Sequence, residues 1–335
     1  MNQFQNILEA VGNTPLVKLN RISQHVASPI YVKPEFLNPG GSIKDRPALQ
    51  MIEGAERAGL LKPGATIVEA TAGNTGVGLA IAAAIKGYRL VVVMPDKMSQ
   101  EKMALLRAYG AEIVVTRTDV APDSPDSYNG VAERLARQIP GAFRPNQFAN
   151  PLNAQAHYRT TGPEIWETSE GKVEALVAGI GTGGTISGVA KYLKEQKPEI
   201  VVVAADPEGS ILSGGQPGSW KVEGIGEDYF PETFEPELVD KFIRISDRDS
   251  FQMARRLARE EGILAGGSSG TAVAAALRYA EGLREPKYIA VILPDTGRNY
   301  LSKIFSEQWL RDNDLWVEEN APSSYDLEDL YGHAV

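Results

Sequence analysis

Apolar residues along this chain come in short dense blocks separated by helical spacing. Residues 66–70 (Thr-Ile-Val-Glu-Ala), 90–94 (Leu-Val-Val-Val-Met) and 112–115 (Glu-Ile-Val-Val) predict strands, as do 175–178, 200–204 and 288–292. The blocks are apolar at nearly every position rather than at alternate ones, which is the pattern of strands covered on both faces. Between the first blocks, 77–86 and about 99–109 carry helical spacing, the second stopped by Gly110. Strands alternating with helices imply parallel α/β layers. Pro122-Asp123-Ser124-Pro125-Asp126 reads as a surface turn, and 213–219 (Ser-Gly-Gly-Gln-Pro-Gly-Ser) as an irregular, mobile loop. From Glu318 the chain is polar and acidic, a loosely attached tail.

Length and composition narrow the function. The 335 residues hold about two domains at about 150 residues each. With 43% hydrophobic and 23% charged residues, intrinsic disorder is excluded. No apolar run reaches the roughly 18 residues that span a bilayer, and Met1-Asn2-Gln3-Phe4-Gln5 lacks the pattern of a signal peptide. The expectation is a cytoplasmic enzyme. A net charge of −9 argues against nucleic acid as a partner, because phosphate binding rests on clustered Lys and Arg. There is no cysteine, which removes disulfides, thiolate metal sites, thiolate-held haem and a cysteine nucleophile. The only histidines are His25, His157 and His333, and they are scattered, so no metal site is expected. The chemistry must therefore use Lys, Ser or Thr, carboxylates, backbone amides or an organic cofactor. The 33 glycines cluster, which suggests backbone built for close approach to a ligand.

Three glycine-rich segments sit beside predicted strands: Gly40-Gly41-Ser42-Ile43-Lys44-Asp45-Arg46, Thr71-Ala72-Gly73-Asn74-Thr75-Gly76, and Gly179-Ile180-Gly181-Thr182-Gly183-Gly184-Thr185. A strand, a glycine turn and a helix start make an anion site, with amide N–H groups and the helix dipole aimed at one point. The third segment fits that geometry, and nearly matches the dinucleotide pattern G-x-G-x-x-G, a weak signal alone. The first is not a nucleotide P-loop, since the required spacing is missing. Singly, each loop reads equally well as a tight βα turn, whereas Lys44 alone reads as a solvated lysine and Thr296 in Leu293-Pro294-Asp295-Thr296-Gly297 alone as a strand-end turn. Their joint occurrence changes that.

Together these motifs resemble the fold-type-II pyridoxal-phosphate enzymes, in the branch that holds cysteine synthases and cystathionine β-synthases. The resemblance runs from Gly12-Asn13-Thr14-Pro15-Leu16-Val17 to Asp295-Thr296-Gly297-Arg298-Asn299-Tyr300. It implies pyridoxal 5'-phosphate held by Lys44 as a Schiff base, an amine that needs a desolvated or tuned site. It implies that Gly181, Thr182, Gly183, Gly184 and Thr185 bind the phosphate, and that Asn74 bonds the ring hydroxyl. Thr71, Ala72, Gly73 and Thr75 would clamp the substrate carboxylate, aided by Gln147. Thr296 corresponds to a neutral hydroxyl at the pyridine nitrogen, with Asp295 the competing residue, read here as a strand-end cap. A neutral partner makes the ring a shallow electron sink, which favours prompt loss of a β substituent and so β-replacement. Lys44 would take and return the Cα proton.

Several segments lie closer to the cystathionine β-synthases: Asp206-Pro207-Glu208-Gly209-Ser210-Ile211-Leu212, Val222-Glu223-Gly224-Ile225-Gly226-Glu227-Asp228, and Arg298-Asn299-Tyr300 with the 303–309 stretch behind it. The resemblance implies L-cystathionine formation from L-serine or O-acetyl-L-serine and L-homocysteine. The alternative is a cysteine synthase acting on O-acetyl-L-serine and sulfide, and a remote one is a silent pyridoxal-binding homologue. Glu223 is a candidate for the homocysteine amino group or the leaving hydroxyl, and equally a loop-capping carboxylate; Gly224 lies beside it. Tyr158 matches a residue near the substrate. Two departures stand out: Ala72 replaces a usual Ser, and Glu227 stands where the cystathionine branch often has Tyr. Neither a haem segment nor a regulatory domain pair is expected from this chain. The expected fold class is α/β with two domains around mostly parallel sheets, tryptophan synthase β-like. Residues 1–46 plus 154–315 would form the large domain, 47–153 a smaller mobile one, and 316–335 a polar tail. A homodimer with no membrane partner completes the expectation.

Overall fold

A computed structural model describes residues 3–318 apart from 72, 97, 99, 122 and 123. Its strands are β1 (Val17–Lys18), β2 (Ile30–Pro34), β3 (Thr66–Ala70), β4 (Arg89–Pro95), β5 (Glu112–Thr116), β6 (Ala175–Gly179), β7 (Val201–Pro207), β8 (Lys241–Ile245) and β9 (Ile289–Leu293). The helices are α1 (Asp45–Arg57), α2 (Asn74–Lys86), α3 (Gln100–Ala108), α4 (Tyr128–Gln138), α5 (Leu152–Arg159), α6 (Thr161–Thr168), α7 (Gly184–Gln196), α8 (Asp247–Glu261), α9 (Gly267–Glu281) and α10 (Glu307–Asp312). Two sheets result. One has six strands in the order β1-β2-β9-β6-β7-β8, parallel except for β1, and the other is the parallel trio β3-β4-β5.

Dense apolar strands are explained by helices on both faces. In the large sheet Val177, Val203 and Val291 face the alanine-rich α9, while Leu176, Ala178 and Ile292 face Ile186, Val189 and Leu193 of α7. In the small sheet Ile67 and Val92 pack on Leu79 of α2 and Ile52 of α1. The opposite face, Val68, Val91 and Val93, meets Val131 of α4.

The differences from the sequence reading have local causes. β2 is hidden because Lys33 and Pro34 are poor central-strand residues; Lys33 is nonetheless buried, with its ammonium bonded to Thr14 O at 2.8 Å and Glu164 at 2.7 Å. β8 is a sheet-edge strand with mostly exposed residues, so its Lys and Arg break the dense pattern. α2 begins at Asn74 rather than at 77, since Thr75, Gly76 and Gly78 are weak helix formers. The 122–126 turn lies partly outside the described residues, as does the tail beyond 318. Trp316, expected in the tail, instead packs against the guanidinium groups of Arg255 and Arg311, about 5 Å from its ring centre. The 213–219 loop is anchored by Arg244, which donates to Ser213 Oγ and O.

Candidate active site

The two sheets enclose a cavity of about 580 Å³, into which the loops after β3, β6 and β9 all open. Carboxyl ends of parallel strands are the usual ligand side of such sheets, because the βα turns there leave helix N-termini facing inward.

Lys44 lines this cavity immediately before α1. Its approach is fixed on both sides: Ile43 N–H donates to Pro294 O at 2.8 Å, and two residues on, Arg46 enters a buried ion network. Arg46 donates to Glu35 at 2.7 and 2.8 Å and to Glu164 at 2.6 and 2.7 Å. Asp45 accepts from Gly40 N–H at 2.5 Å, and burial pushes its carboxyl up to about 7. Burial lowers the Lys44 amine, with the charges of Asp295 and Glu227 opposing. An amine held towards its free-base form is the state needed for a nucleophile or a proton acceptor.

The turn from β6 into α7 fits a phosphate group. α7 has no side-chain cap among the described residues, so its first amide N–H groups are left for a ligand. Gly183 has φ +84°, which favours glycine. A Cβ on Gly181 would strike Gly224 O, and one on Gly183 would strike Phe234, so the backbone itself forms the cradle wall. Asn153 of α5 steadies the loop by donating to Thr182 Oγ1 at 3.0 Å. Thr185 Oγ1 lies 3.2 Å from His157 Nε2. Burial lowers the His157 imidazole well below its ordinary value, helped by the charges of Arg46 and Lys44, so it stays neutral. The donor set, amides and hydroxyls beside a lysine amine, fits pyridoxal phosphate.

On the facing side, Asn74 opens α2 and its amide donates to Asp295 Oδ2 at 2.8 Å; Tyr300 donates to the same oxygen at 2.6 Å. Asp295 is more than the strand-end cap expected. It is buried, lines the cavity, and its Oδ1 has no hydrogen-bond partner among the described residues. Burial raises its carboxyl, against the hydrogen bonds from Tyr300 and Asn74 and the charge of Lys44. Thr296 follows Asp295 directly after β9. Its hydroxyl accepts Arg298 N–H at 3.3 Å and so caps the short helical turn Gly297–Tyr300. The buried hydroxyl that does line the cavity in this region is Ser268, at the start of α9. Sequence reasoning missed Ser268 and Tyr300; the repeated glycines before Ser268 were the available signal.

Thr71, Gly73, Thr75 and Gln147 all reach the cavity. Thr75 Oγ1 donates to Gln147 Oε1 at 2.5 Å, and Thr71 Oγ1 accepts Gly73 N–H at 3.3 Å. Ala72 lies outside the described residues. Gly224 lines the opposite wall at φ +85°. Glu223 also lines the cavity, but its carboxylate is taken by Lys102 of α3 at 2.7 Å and by Lys303. Burial alone would raise its carboxyl; the two ammonium groups outweigh that and lower it. Tyr158 is turned away from the cavity. Its hydroxyl donates to Glu195 of α7 at 2.7 Å, and its ring meets Tyr192 edge-on at 5.7 Å, so the catalytic role expected for it has no geometric support.

Over residues 7–295 the chain matches the family described as pyridoxal-phosphate dependent enzyme. It is 51% identical over 312 residues to a cystathionine beta-synthase from Apis mellifera, 91% of this chain and 62% of that protein. Identity to the Rattus norvegicus cystathionine beta-synthase is 49% over 322 residues, 94% of this chain and 57% of that protein. The chain thus spans about six-tenths of the length of these curated relatives. A solved structure of a hydrogen sulfide-producing enzyme from Fusobacterium nucleatum is similar with a TM-score of 0.84 and 42% identity, over 89% of this chain and 100% of that one.

Proposed function

The chain belongs to the pyridoxal-phosphate dependent enzymes, and from that premise we propose that it catalyses β-replacement, forming L-cystathionine from L-serine or O-acetyl-L-serine and L-homocysteine. The observation that carries this reading is the placement of the Lys44 amine in one cavity with an amide cradle and the Thr71, Thr75 and Gln147 polar groups. Identity of about half to two cystathionine beta-synthases supports the choice of product.

The cofactor supplies an electron-withdrawing ring and a carbonyl for the substrate amine. The chain's own residues do the rest. The α7 N-terminus with Gly181 to Thr185 would hold the phosphate, and Lys44 Nζ would hold the cofactor's carbonyl carbon. Asn74, whose amide is oriented by its bond to Asp295, would bond the ring hydroxyl. Thr71, Gly73, Thr75 and Gln147 hold the substrate carboxylate beside the α2 N-terminus, where the dipole favours an anion. Lys44 Nζ takes the donor's Cα proton and returns it to the product, a role for which an amine lowered by burial is suited. Thr296, after β9, would supply the neutral hydroxyl at the pyridine nitrogen, which favours loss of a β substituent. The 47–153 unit, tied to the opposite wall through Lys102 and Glu223, closes the cavity and keeps water out. The working form is a cytoplasmic homodimer.

Product analysis by mass spectrometry tests the reading. Serine, O-acetylserine, homocysteine and sulfide are offered to the pyridoxal-loaded protein in every donor–acceptor pairing. Cystathionine as the dominant product is expected, and the donor that gives it names the leaving group. Cysteine from O-acetylserine and sulfide, with homocysteine ignored, would overturn it.

A further inference from the structure

Glu223 and Glu227 stand four residues apart between β7 and β8, and both line the cavity. Their carboxylates differ in what they have left to bind. Glu223 is held by Lys102 and Lys303. The Glu227 carboxylate makes no hydrogen bond or ion pair among the described residues, although its main chain is fixed: its N–H donates to Ser210 Oγ at 3.2 Å, and its carbonyl accepts from Ile211 N–H at 3.0 Å. An anchored backbone thus carries a carboxylate with nothing bound to it. Aromatic rings surround the same part of the cavity. Tyr128 of α4 and Phe148 line it, and Tyr229 meets Phe148 at 5.9 Å between ring centres. A fixed carboxylate beside aromatic faces suits an ammonium group, which gains charge pairing and cation–π attraction. A small anion such as hydrosulfide gains neither.

We propose that Glu227 is the specificity residue that receives the α-ammonium group of an incoming amino-acid thiol, selecting it over hydrosulfide. The inference rests on the reading of the site as one for β-replacement with a thiol acceptor. It moves the amino-group contact from Glu223, whose charge is already paired, to Glu227.

A pH signature follows from the surroundings. Burial pushes the Glu227 carboxyl up to about 7; Asp228 pushes the same way and Lys44 opposes, while Tyr128 and Tyr229 face it without charge at neutral pH. The carboxylate form, and with it the ammonium contact, is present above about 7 and lost as pH falls below.

The test compares wild-type holoenzyme with Glu227→Gln on three acceptors: L-homocysteine, 4-mercaptobutyrate, which keeps the thiol and carboxylate but lacks the amino group, and hydrosulfide. The variant should raise KM for homocysteine about tenfold at pH 8, the scale of one charge-assisted hydrogen bond. KM values for the other two acceptors should move less than about twofold. The variant-to-wild-type ratio for homocysteine should shrink towards one as pH falls from 8 to 6. Calorimetric titration of homocysteine into the holoenzyme without donor gives a readout independent of turnover, with binding weakened about tenfold in the variant and partly kept in Glu227→Asp. Equal effects on homocysteine and 4-mercaptobutyrate, or unchanged homocysteine binding, would overturn the proposal. If the wild type makes no thioether from homocysteine, it is the proposed function that fails, and the titration still decides the role of Glu227.

Discussion

Burial acts in opposite directions on the two titratable groups at the centre of the cavity. It lowers the Lys44 amine and raises the Asp295 carboxyl, so each is driven towards its neutral form. Replacing Lys44 with Ala removes a lysine whose buried amine lines the same cavity as Gly181 and Thr182. Product formation should fall by at least about 10²-fold, and the visible absorbance of the lysine-linked cofactor should vanish. A normal rate would exclude Lys44 from proton transfer. Glu69, buried in β3 and accepting Asn146 N–H at 2.7 Å, shows the same physics in stability. Burial pushes its carboxyl up to about 7, so the stability it contributes is complete below about 4.5 and is lost as pH rises through 7. Glu69→Gln keeps the acceptor and removes the titration. Its melting temperature relative to wild type should therefore rise steadily from pH 5 to 8, and a constant difference would refute the assignment. At this scale it was legible that Lys44, Asn74 and the 181–185 loop deserve notice, because each lies in a contiguous motif, and the fold brings Lys44, Asn74, Gly181 and Thr182 to one cavity. Ser268 was marked only by the glycines before it, and Tyr300 lay inside a quoted motif that assigned its hydroxyl no role, because the partner it bonds is fixed only by folding.

Helices position the site through glycines that permit close approach. A Cβ on Gly188 of α7 would run into Ala154 O of α5, and one on Gly270 of α9 would run into Ser250 O of α8. α5 carries Asn153 and His157, whose side chains contact Thr182 and Thr185 at the turn from β6 into α7. Gly188→Ala should therefore cost about 1–3 kcal/mol through overpacking, more than the roughly 1 kcal/mol that alanine gains in helix propensity. Denaturant unfolding measures the loss, and weakened retention of cofactor on dialysis should accompany it. A stabilised variant would show that α5 yields freely. The strands βα-coupled to these helices were readable because both faces are covered; β2 and β8 were not, since a buried Lys33 and an edge strand each break the apolar run.

Two charge networks act across the whole molecule. The buried one, Lys33, Glu35, Arg46 and Glu164, ties β2 and the segment after it to the start of α1 and to α6. The ammonium and guanidinium groups outweigh burial and hold Glu164 down to about 2, so its contribution is present above about 4.5 and is lost as pH falls through 2. Glu164→Gln leaves Arg46 partly unpaired and should cost about 3–5 kcal/mol at pH 7 in denaturant unfolding. The second network, Lys102–Glu223–Lys303, is part-exposed and joins α3 beside the small sheet to the loops of the large one. Such a contact is worth no more than about 1 kcal/mol and weakens with salt. Lys102→Met should increase hydrogen exchange in α3 while leaving the melting temperature nearly unchanged, and unchanged exchange would show that the link does not hold the two parts together.

The sequence alone determined the α/β class, the parallel strands, and which lysine, asparagine and glycine loop stand in motifs beside them. These are properties of local pattern, since periodicity, βα turns and a helix start are encoded within a few residues. Pairings between residues far apart in the chain were decided only by tertiary structure. It turned Tyr158 to Glu195, gave Thr296 to a helix cap, and set Asp295 between Asn74 and Tyr300. It also neutralised Glu223 with two lysines and left Glu227 facing the cavity. Two glutamates on one loop are alike as sequence; which of them is paired depends on the cations that folding brings within reach.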